Sequence, residues 1–271
     1  MKIALLDSGI GLLAAAAALR RLRPDADLVL SSDPDSMPWG PRTPADLTER
    51  ALACAEAAAA HRPDALVVAC NTASVHALSA LRARLEPGIP VIGTVPAIKP
   101  AAAQGRPAAI WATPATTGSA YQRRLIADFA AGVPVTEVAC PGLADALEHA
   151  DAAAIDAAVA TAAAATPADV TVVVLGCTHY ELVAGPIRDA LRPRGDTRPL
   201  SLYGSAGAVA AQVLRRLGAD PEPGAPATGT LDVILAGRPA ALPSAALTYP
   251  EGRALTAARP LAVPGALRAA G

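Results

Sequence analysis

Short β-branched runs alternate along this sequence with longer segments rich in Ala, Leu and Arg. The runs that predict strands lie at residues 2–6, 27–30, 65–68, 90–92, 108–111, 133–138, 170–175 and 200–202. Strands that alternate with helices pair in parallel through right-handed crossovers, so the pattern predicts an α/β layered fold with buried sheets. Ligands of such folds bind beyond the carboxyl ends of the strands.

Capping residues mark two helix starts. Thr43 precedes Pro44, a residue favoured in the first helical turn, and Ser205 precedes a helical segment at 206–217. From Pro221 onward Pro, Gly and Ala dominate, with one further strand predicted at 231–235. We expect residues 251–271 to form an irregular C-terminal tail.

Two segments repeat the same order of residue types, an apolar run followed by cysteine and polar residues. Residues 67–72 read VVACNT, and residues 173–178 read VVLGCT. Two similar half-molecules would explain this internal repeat, and so would a chance repeat of a common strand-to-helix turn.

The cysteines of these two segments, Cys70 and Cys177, each end a predicted strand and precede a predicted helix. A thiol at a helix N-terminus feels the positive end of the helix dipole, so we expect both thiols to ionise more readily than a free cysteine. A packed, unreactive role is the alternative for any single cysteine. We assign that role to Cys54, and Cys140 is open to the same interpretation.

The same strand ends carry polar side chains of the kind that hold a zwitterionic ligand. They are Asp7 and Ser8 after the first strand, Asn71 and Thr72 after Cys70, and Thr178 and His179 after Cys177. Taken one at a time, residues of these types also cap helices, and that alternative stays open for each.

Composition and charge exclude several classes of function. The 23 Lys and Arg residues balance 24 Asp and Glu residues, without the basic patch of a nucleic-acid-binding protein. No apolar stretch suits a membrane span, and the N-terminal apolar run is too short for a secretory signal. The four scattered cysteines form no C-x-x-C pair, and the histidines have no metal-binding spacing. We therefore expect a cytoplasmic protein with reduced thiols and no metal.

Several motifs together resemble one known family. They read DSGIG at 7–11, PWG at 38–40, ACNTAS at 69–74, GTVPAIKP at 93–100, TPAT at 113–116, CP at 140–141 followed by Glu148, and LGCTHY at 175–180. In these motifs and their order, the chain resembles the glutamate racemases of the aspartate/glutamate racemase superfamily over roughly residues 3–210.

The resemblance implies a fold and an activity. The fold would comprise two similar three-layer α/β domains with mainly parallel sheets and the active site in the cleft between them. One domain would span 1–97 plus 205–250 and the other 98–204. The activity would be cofactor-independent interconversion of L- and D-glutamate, supplying D-glutamate for peptidoglycan. A homodimer is consistent with the family.

The resemblance also implies roles for individual residues. Cys70 and Cys177 would exchange the α-proton on opposite faces of the substrate, with Asp7 and His179 supporting them and Glu148 assisting on the second side. Residues implied to contact the substrate are Asp7, Ser8, Trp39, Gly40, Asn71, Thr72, Thr113, Thr116, Thr178 and His179.

Four positions depart from the family pattern. Leu12 stands where a glycine is usual, Trp39 replaces a tyrosine, Glu181 replaces a proline, and Gly204 stands where an aspartate commonly precedes the serine. Racemization of another amino acid, such as aspartate, is therefore a second hypothesis. A third is a non-catalytic relative that binds an acidic metabolite or a protein partner. Activity on hydantoins, maleate or arylmalonates ranks last.

Overall fold

The computed structural model describes residues 1–192 and 196–257. The strands are β1 (Lys2–Asp7), β2 (Asp27–Ser32), β3 (Ala65–Val68), β4 (Val91–Gly93), β5 (Ala108–Ala112), β6 (Val135–Ala139), β7 (Val172–Leu175), β8 (Ser201–Tyr203), β9 (Leu231–Leu235) and β10 (Arg238–Ala240). The helices are α1 (Leu13–Leu22), α2 (Pro44–Ala59), α3 (Asn71–His76), α4 (Leu78–Leu85), α5 (Ile98–Ala102), α6 (Ala120–Phe129), α7 (Leu143–Glu148), α8 (Ala152–Ala165), α9 (Ala184–Leu191), α10 (Ala206–Leu217) and α11 (Pro250–Thr256). Further 3₁₀ segments lie at Ile10–Leu12, Pro34–Ser36, Thr178–Val183 and Ala246–Thr248.

The strands form two sheets. The first has six strands in the order β10-β9-β2-β1-β3-β4, and the second has four in the order β6-β5-β7-β8. All pairs are parallel except β9 with β10. The predicted α/β class with mainly parallel sheets is therefore confirmed.

Helices cover both faces of each sheet because successive strand residues point to opposite sides. In β1, Ile3 and Leu5 belong to the apolar cluster that includes α1 and α10, whereas Ala4 and Leu6 pack in the cluster that includes α2. In the second sheet, alternate residues likewise divide between a cluster with α7–α9 and one with α5 and α6. Each sheet is thus the middle of three layers.

One apolar cluster joins the two halves of the molecule. It contains Leu13 of α1 and Val213 of α10 from the first half, together with Leu147 of α7 and Ile187 of α9 from the second. Burial of this shared surface stabilises the position of one sheet relative to the other, because apolar area is removed from water on both sides. The carboxyl ends of β3 and β7 face each other as a result.

The strand pattern is confirmed, with ends shifted by at most two residues from the predicted bounds. The capping prediction at Thr43 is also confirmed, since its Oγ1 accepts a hydrogen bond from the Asp46 amide at 3.3 Å. Helix α10 begins after Ser205 as predicted, but the Ser205 side chain does not cap it. The domain boundaries at 97 and 204 stay a prediction.

Two differences concern the C-terminal part. The short edge strand β10 was not predicted, since it carries Pro239 and little apolar pattern. The expectation of an irregular tail is wrong at its start, because α11 covers Pro250–Thr256. Helix α11 packs against α1 through Ala254 and Leu255, and this tertiary contact outweighs the weak local signal. The remainder of the predicted tail, from 258, lies outside the described residues.

Candidate active site

The two cysteine motifs occupy equivalent positions in the two sheets. Cys70 follows β3 and is the N-cap of α3, and Cys177 follows β7 and is the N-cap of the 3₁₀ segment Thr178–Val183. Both residues have extended backbone, with φ of −126° and −130°. The sequence predicts a helix after each cysteine, but the second begins as a 3₁₀ helix and α9 starts only at Ala184.

A cavity of about 200 Å³ lies between the carboxyl ends of these strands. All residues predicted for the site except Glu148 line it: Asp7, Ser8, Trp39, Gly40, Cys70, Asn71, Thr72, Thr113, Thr116, Cys177, Thr178 and His179. Glu148 is not among the residues that line the cavity, but its carboxylate contacts His179, which does line it. The structure therefore brings together every predicted site residue, and a small metabolite fits the space they enclose.

Asp7 is a fully buried carboxylate at the end of β1. Its Oδ1 accepts hydrogen bonds from the Ser8 amide at 2.6 Å and the Ser8 hydroxyl at 3.2 Å, and Thr178 Oγ1 donates to Oδ2 at 3.3 Å. Burial raises the pKa of Asp7 to about 6, although His179, the Ser8 amide and the Cys70 thiol oppose the rise. Asp7 can therefore hold or release a proton near neutral pH.

The thiol of Cys70 differs from the expectation drawn from its helix position. Burial, followed by the negative charge of Asp7, raises its pKa well above the usual value. This direction is opposite to the expectation of an easily ionised Cys70, because burial and the Asp7 charge outweigh the hydrogen bond from the Ala73 amide. A positive charge brought by the ligand would act in the opposite direction.

His179 connects the second cysteine to a buried acid. Its Nδ1 lies 3.8 Å from Cys177 Sγ, and its Nε2 lies 3.1 Å from Glu148 Oε2. Burial alone would lower the pKa of His179, but the hydrogen bonds with Cys177 and Glu148 raise it well above the usual value. For Glu148, the bonds with His179 and the Ile10 amide outweigh burial and lower its pKa. The His179 ring thus lies between the Cys177 thiol and the Glu148 carboxylate.

Hydrogen bonds cross between the two halves at the floor of the cavity. Asn71 Nδ2 donates to the Gly176 carbonyl at 2.7 Å, which joins the turn after β3 to the end of β7. The Ile10 amide donates to Glu148 Oε2 at 2.8 Å. With the bond from Thr178 to Asp7, these contacts fix the two cysteine-bearing turns relative to each other.

Trp39 forms part of the cavity wall but offers it no free donor. The side chain is 1% exposed, and its indole Nε1 donates to Ser36 Oγ at 3.1 Å. Trp39 therefore contributes an aromatic surface to the cavity and, unlike a tyrosine, no hydroxyl. The hydroxyls of Thr113 and Thr116, which also line the cavity, lie 3.2 Å apart and provide polar contacts.

Sequence reasoning missed the steric role of two glycines in the DSGIG motif. A Cβ on Gly11 would collide with Asp7, Thr178 and His179, and a Cβ on Gly9 would collide with Glu148. Only a glycine lets the backbone pass this close to the polar side chains. The motif itself was the available signal, but the colliding groups come from distant parts of the chain.

Cys140 is a further cavity-lining residue. Burial raises the pKa of its thiol to about 12, and its backbone carbonyl accepts a hydrogen bond from the Tyr180 hydroxyl at 3.3 Å. This environment fits the packed role considered from the sequence. Cys54 is also buried, and its pKa is raised to about 12 by burial.

Two further observations concern metals and membranes. Within residues 1–192 and 196–257, no group of three or more His, Cys, Asp or Glu side chains is arranged to hold a metal ion. In the same ranges, no helix has the length and hydropathy needed to cross a membrane.

Comparison with known proteins gives the family. The model of the Asp/Glu/Hydantoin racemase family matches residues 12–213. The chain belongs to this family. Among its relatives, the glutamate racemase of Roseiflexus sp. (strain RS-1) is 40% identical over 191 residues, covering 69% of this chain and 70% of the relative. The glutamate racemase of Pseudomonas putida (strain W619) is 34% identical over 222 residues, covering 80% and 82%.

Solved structures of the family share the fold. The Escherichia coli glutamate racemase, in complex with L-glutamate and the activator UDP-MurNAc-ala, has a TM-score of 0.68 and 28% identity, covering 82% of this chain and 84% of that one. The Thermus thermophilus glutamate racemase, in complex with β-chloro-D-alanine, has a TM-score of 0.63 and 28% identity, covering 86% of each chain. The two-domain α/β fold is thus common to this chain and these racemases.

Proposed function

We propose that this racemase-family protein interconverts L- and D-glutamate, with Cys70 and Cys177 as its two acid/base groups. One observation carries the proposal: the two thiols line a single cavity together with hydroxyl and amide groups suited to a zwitterion. Relatives named glutamate racemase, at 40% and 34% identity, support glutamate as the substrate.

The proposed reaction needs two groups on opposite faces of the α-carbon. The thiolate of one cysteine removes the α-proton, and the C–H electron pair stays on the α-carbon as a carbanion. The thiol of the other cysteine then donates its proton to the opposite face and becomes the thiolate. Protons and charge balance, and no cofactor takes part in these steps. Donors aimed at the substrate carboxylate stabilise the negative charge that develops in the transition state.

Substrate binding would activate Cys70. Asp7 and the Asn71 Oδ1, a buried acceptor without a hydrogen-bond partner, are suited to hold the substrate ammonium group. A positive charge within about 4–6 Å favours the ionised form of an acid, so the bound ammonium group would lower the pKa of Cys70. On the other face, His179 can donate a hydrogen bond to Cys177 during proton exchange.

Neutral donors would hold the two carboxylates of glutamate. Within the described residues, no Lys or Arg side chain lines the cavity. The hydroxyls of Ser8, Thr72, Thr113, Thr116 and Thr178, together with backbone amides at the strand ends, are the available donors. Neutral donors bind a carboxylate without neutralising the acids of the site, so Asp7 and Glu148 can keep their charge.

The proposal extends to the domains, the location and the oligomeric state of the protein. We assign residues 1–97 with 205–250 and residues 98–204 to the two domains that enclose the substrate. The protein would work in the cytoplasm, supply D-glutamate for peptidoglycan, and assemble as a homodimer. Sedimentation velocity of the purified protein tests the dimer.

Racemization in D₂O tests the proposal. Purified protein is incubated with L- or D-glutamate without added cofactor, and optical rotation and α-deuterium uptake are followed. We expect both enantiomers to converge on a racemate with full α-deuteration. If folded protein leaves glutamate unchanged and also fails to racemize aspartate, the proposed function is wrong and a binding role is favoured.

Aspartate is the second candidate substrate, favoured by the buried indole of Trp39. The indole stands where the family has a tyrosine, so the tyrosine hydroxyl is missing. In this hypothesis the indole shortens the space for the substrate side chain. In this case the wild type would racemize aspartate faster than glutamate, and Trp39→Tyr would shift the preference toward glutamate. A preference for glutamate that Trp39→Tyr leaves unchanged would exclude this role for Trp39.

A further inference from the structure

We propose that Glu181 is a positioning residue that holds the Cys177–His179 segment in place by bonding to the start of α10. The proposal rests on the proposed two-thiol racemization. It concerns a residue outside the cavity lining, so Glu181 would act through Cys177 and His179 without touching the substrate.

The Glu181 carboxylate is buried at a junction of two elements. Its Oε1 accepts hydrogen bonds from the Ser205 amide at 2.7 Å, the Ser205 hydroxyl at 3.0 Å and the Ala206 amide at 3.2 Å. The Ala206 amide also lies 3.4 Å from Oε2. Glu181 is 7% exposed and Ser205 is 4% exposed. Burial raises the pKa of Glu181, although the hydrogen bonds from Ser205 and the Ala206 amide oppose the rise.

These bonds connect opposite halves of the molecule. Glu181 belongs to the 3₁₀ segment Thr178–Val183 that follows β7 in the second sheet. Helix α10 packs against α1, β3 and β4 of the first sheet. The carboxylate therefore ties the segment carrying His179 to a helix that lies on β3, the strand that leads to Cys70.

The residues at the start of α10 do not supply their own acceptor, which leaves this role to Glu181. Ser205 is the N-cap of α10, yet its side chain makes no capping bond to the helix and donates to Glu181 instead. Gly204, directly before it, has no side chain to supply an acceptor. Glu181 thus supplies, from a distant part of the chain, the acceptor that an N-terminal residue of the helix usually provides.

Loss of the carboxylate should affect one face of the reaction. Without it, the buried amides of Ser205 and Ala206 lose their acceptor and the 3₁₀ segment loses its tie to the first half. Cys70 stays in place because it lies between β3 and α3, neither of which contains a partner of Glu181. Displacement of a catalytic group by about 1 Å can cost about 100-fold in rate.

Racemization rates alone cannot separate the two faces, because the equilibrium between enantiomers fixes the ratio of the two kcat/KM values. Elimination from the two enantiomers of β-chloroglutamate separates them, since each needs one thiolate only. The thiolate takes the α-proton, the C–H electron pair forms the π bond of a Cα=Cβ double bond, and the Cβ–Cl bond breaks as chloride leaves with its electron pair. The enamine then hydrolyses to ammonium and a 2-oxo acid, which is measured. Cys70→Ser and Cys177→Ser identify which enantiomer each thiol deprotonates.

We expect Glu181→Ala to slow elimination from the Cys177-dependent enantiomer at least about 10-fold more than elimination from the other. Glu181→Gln keeps one acceptor oxygen and should show the same preference with a smaller effect, about 3-fold. Adding Gly204→Asp to Glu181→Ala should not restore the lost rate, because a carboxylate directly before Ser205 gives the α10 amides an acceptor without tying the 3₁₀ segment to the helix. Gly204 is not among the positive-φ glycines, so its backbone conformation is one that an aspartate can adopt.

Glu86→Ala is the matched control, since Glu86 also accepts a backbone amide, that of Val91 at 3.1 Å, away from the catalytic segment. It should leave both eliminations unchanged. Equal slowing of both enantiomers by Glu181→Gln, or no slowing by either Glu181 variant, would overturn the positioning role. These outcomes leave the proposed function intact, whereas a wild type that neither racemizes nor eliminates would refute the proposed function itself.

Discussion

Asp7 lines the candidate active site, and its buried carboxylate lowers the free energy of unfolding when it is ionised. A carboxyl group whose pKa rises on folding stabilises the folded state at low pH, and this contribution is lost as the pH rises through the folded pKa. For Asp7 the pKa rises from 3.8 to about 6 because the group is buried. A shift of this size corresponds to about 3 kcal/mol, as an order of magnitude. Ionised Asp7 therefore destabilises the folded protein above pH 6.

Asp7→Asn tests this cost. Relative to wild type, the free energy of unfolding of the variant should increase by up to about 3 kcal/mol as the pH rises from about 4 to about 7, while racemization is lost. Urea unfolding at pH 4, 6 and 8 measures the difference. Asp128→Asn, at an exposed aspartate, controls for the loss of one charge. A difference between Asp7→Asn and wild type that is the same at all three pH values would contradict the buried, proton-binding Asp7.

Gly11 is a point where the backbone passes close to three polar side chains of the site. Gly11→Ala should lower kcat by about 100-fold or more, because the added Cβ displaces Asp7, Thr178 and His179. Gly185→Ala is the control, since a Cβ there meets nothing within 4 Å. Steady-state racemization of both variants makes the comparison. Near-normal kcat in Gly11→Ala would mean that this close approach is not required.

At the scale of elements, the sequence predicted where the strands and both cysteine turns lie, because burial of a parallel strand leaves an apolar run that is visible in the chain. It also predicted the residues that the strand ends bring together. It did not predict the raised pKa of Cys70, which depends on burial and on Asp7 across the sheet. The hydrogen bonds that Glu181 accepts at the start of α10 could not be predicted either, since Ser205 and Ala206 lie 24 and 25 residues after Glu181.

At the scale of the whole molecule, the apolar cluster shared by the two halves couples their stability. We expect one cooperative unfolding transition. The two tryptophans test this, because Trp39 packs in the first half and Trp111 lies in β5 of the second. In Trp39→Phe and in Trp111→Phe, the fluorescence of the remaining tryptophan and the far-UV circular dichroism should change at the same urea concentration. Separate midpoints within either variant would show that the halves unfold independently.

The central claim is that Cys70 and Cys177 serve opposite faces of one α-carbon. Elimination from the two enantiomers of β-chloroglutamate by Cys70→Ser and Cys177→Ser tests it most directly. We predict that both variants lose racemization of glutamate and that each retains elimination from one enantiomer only, with opposite preferences. If either variant still racemized glutamate at a near-normal rate, or if both retained elimination from the same enantiomer, the two-thiol account would be contradicted.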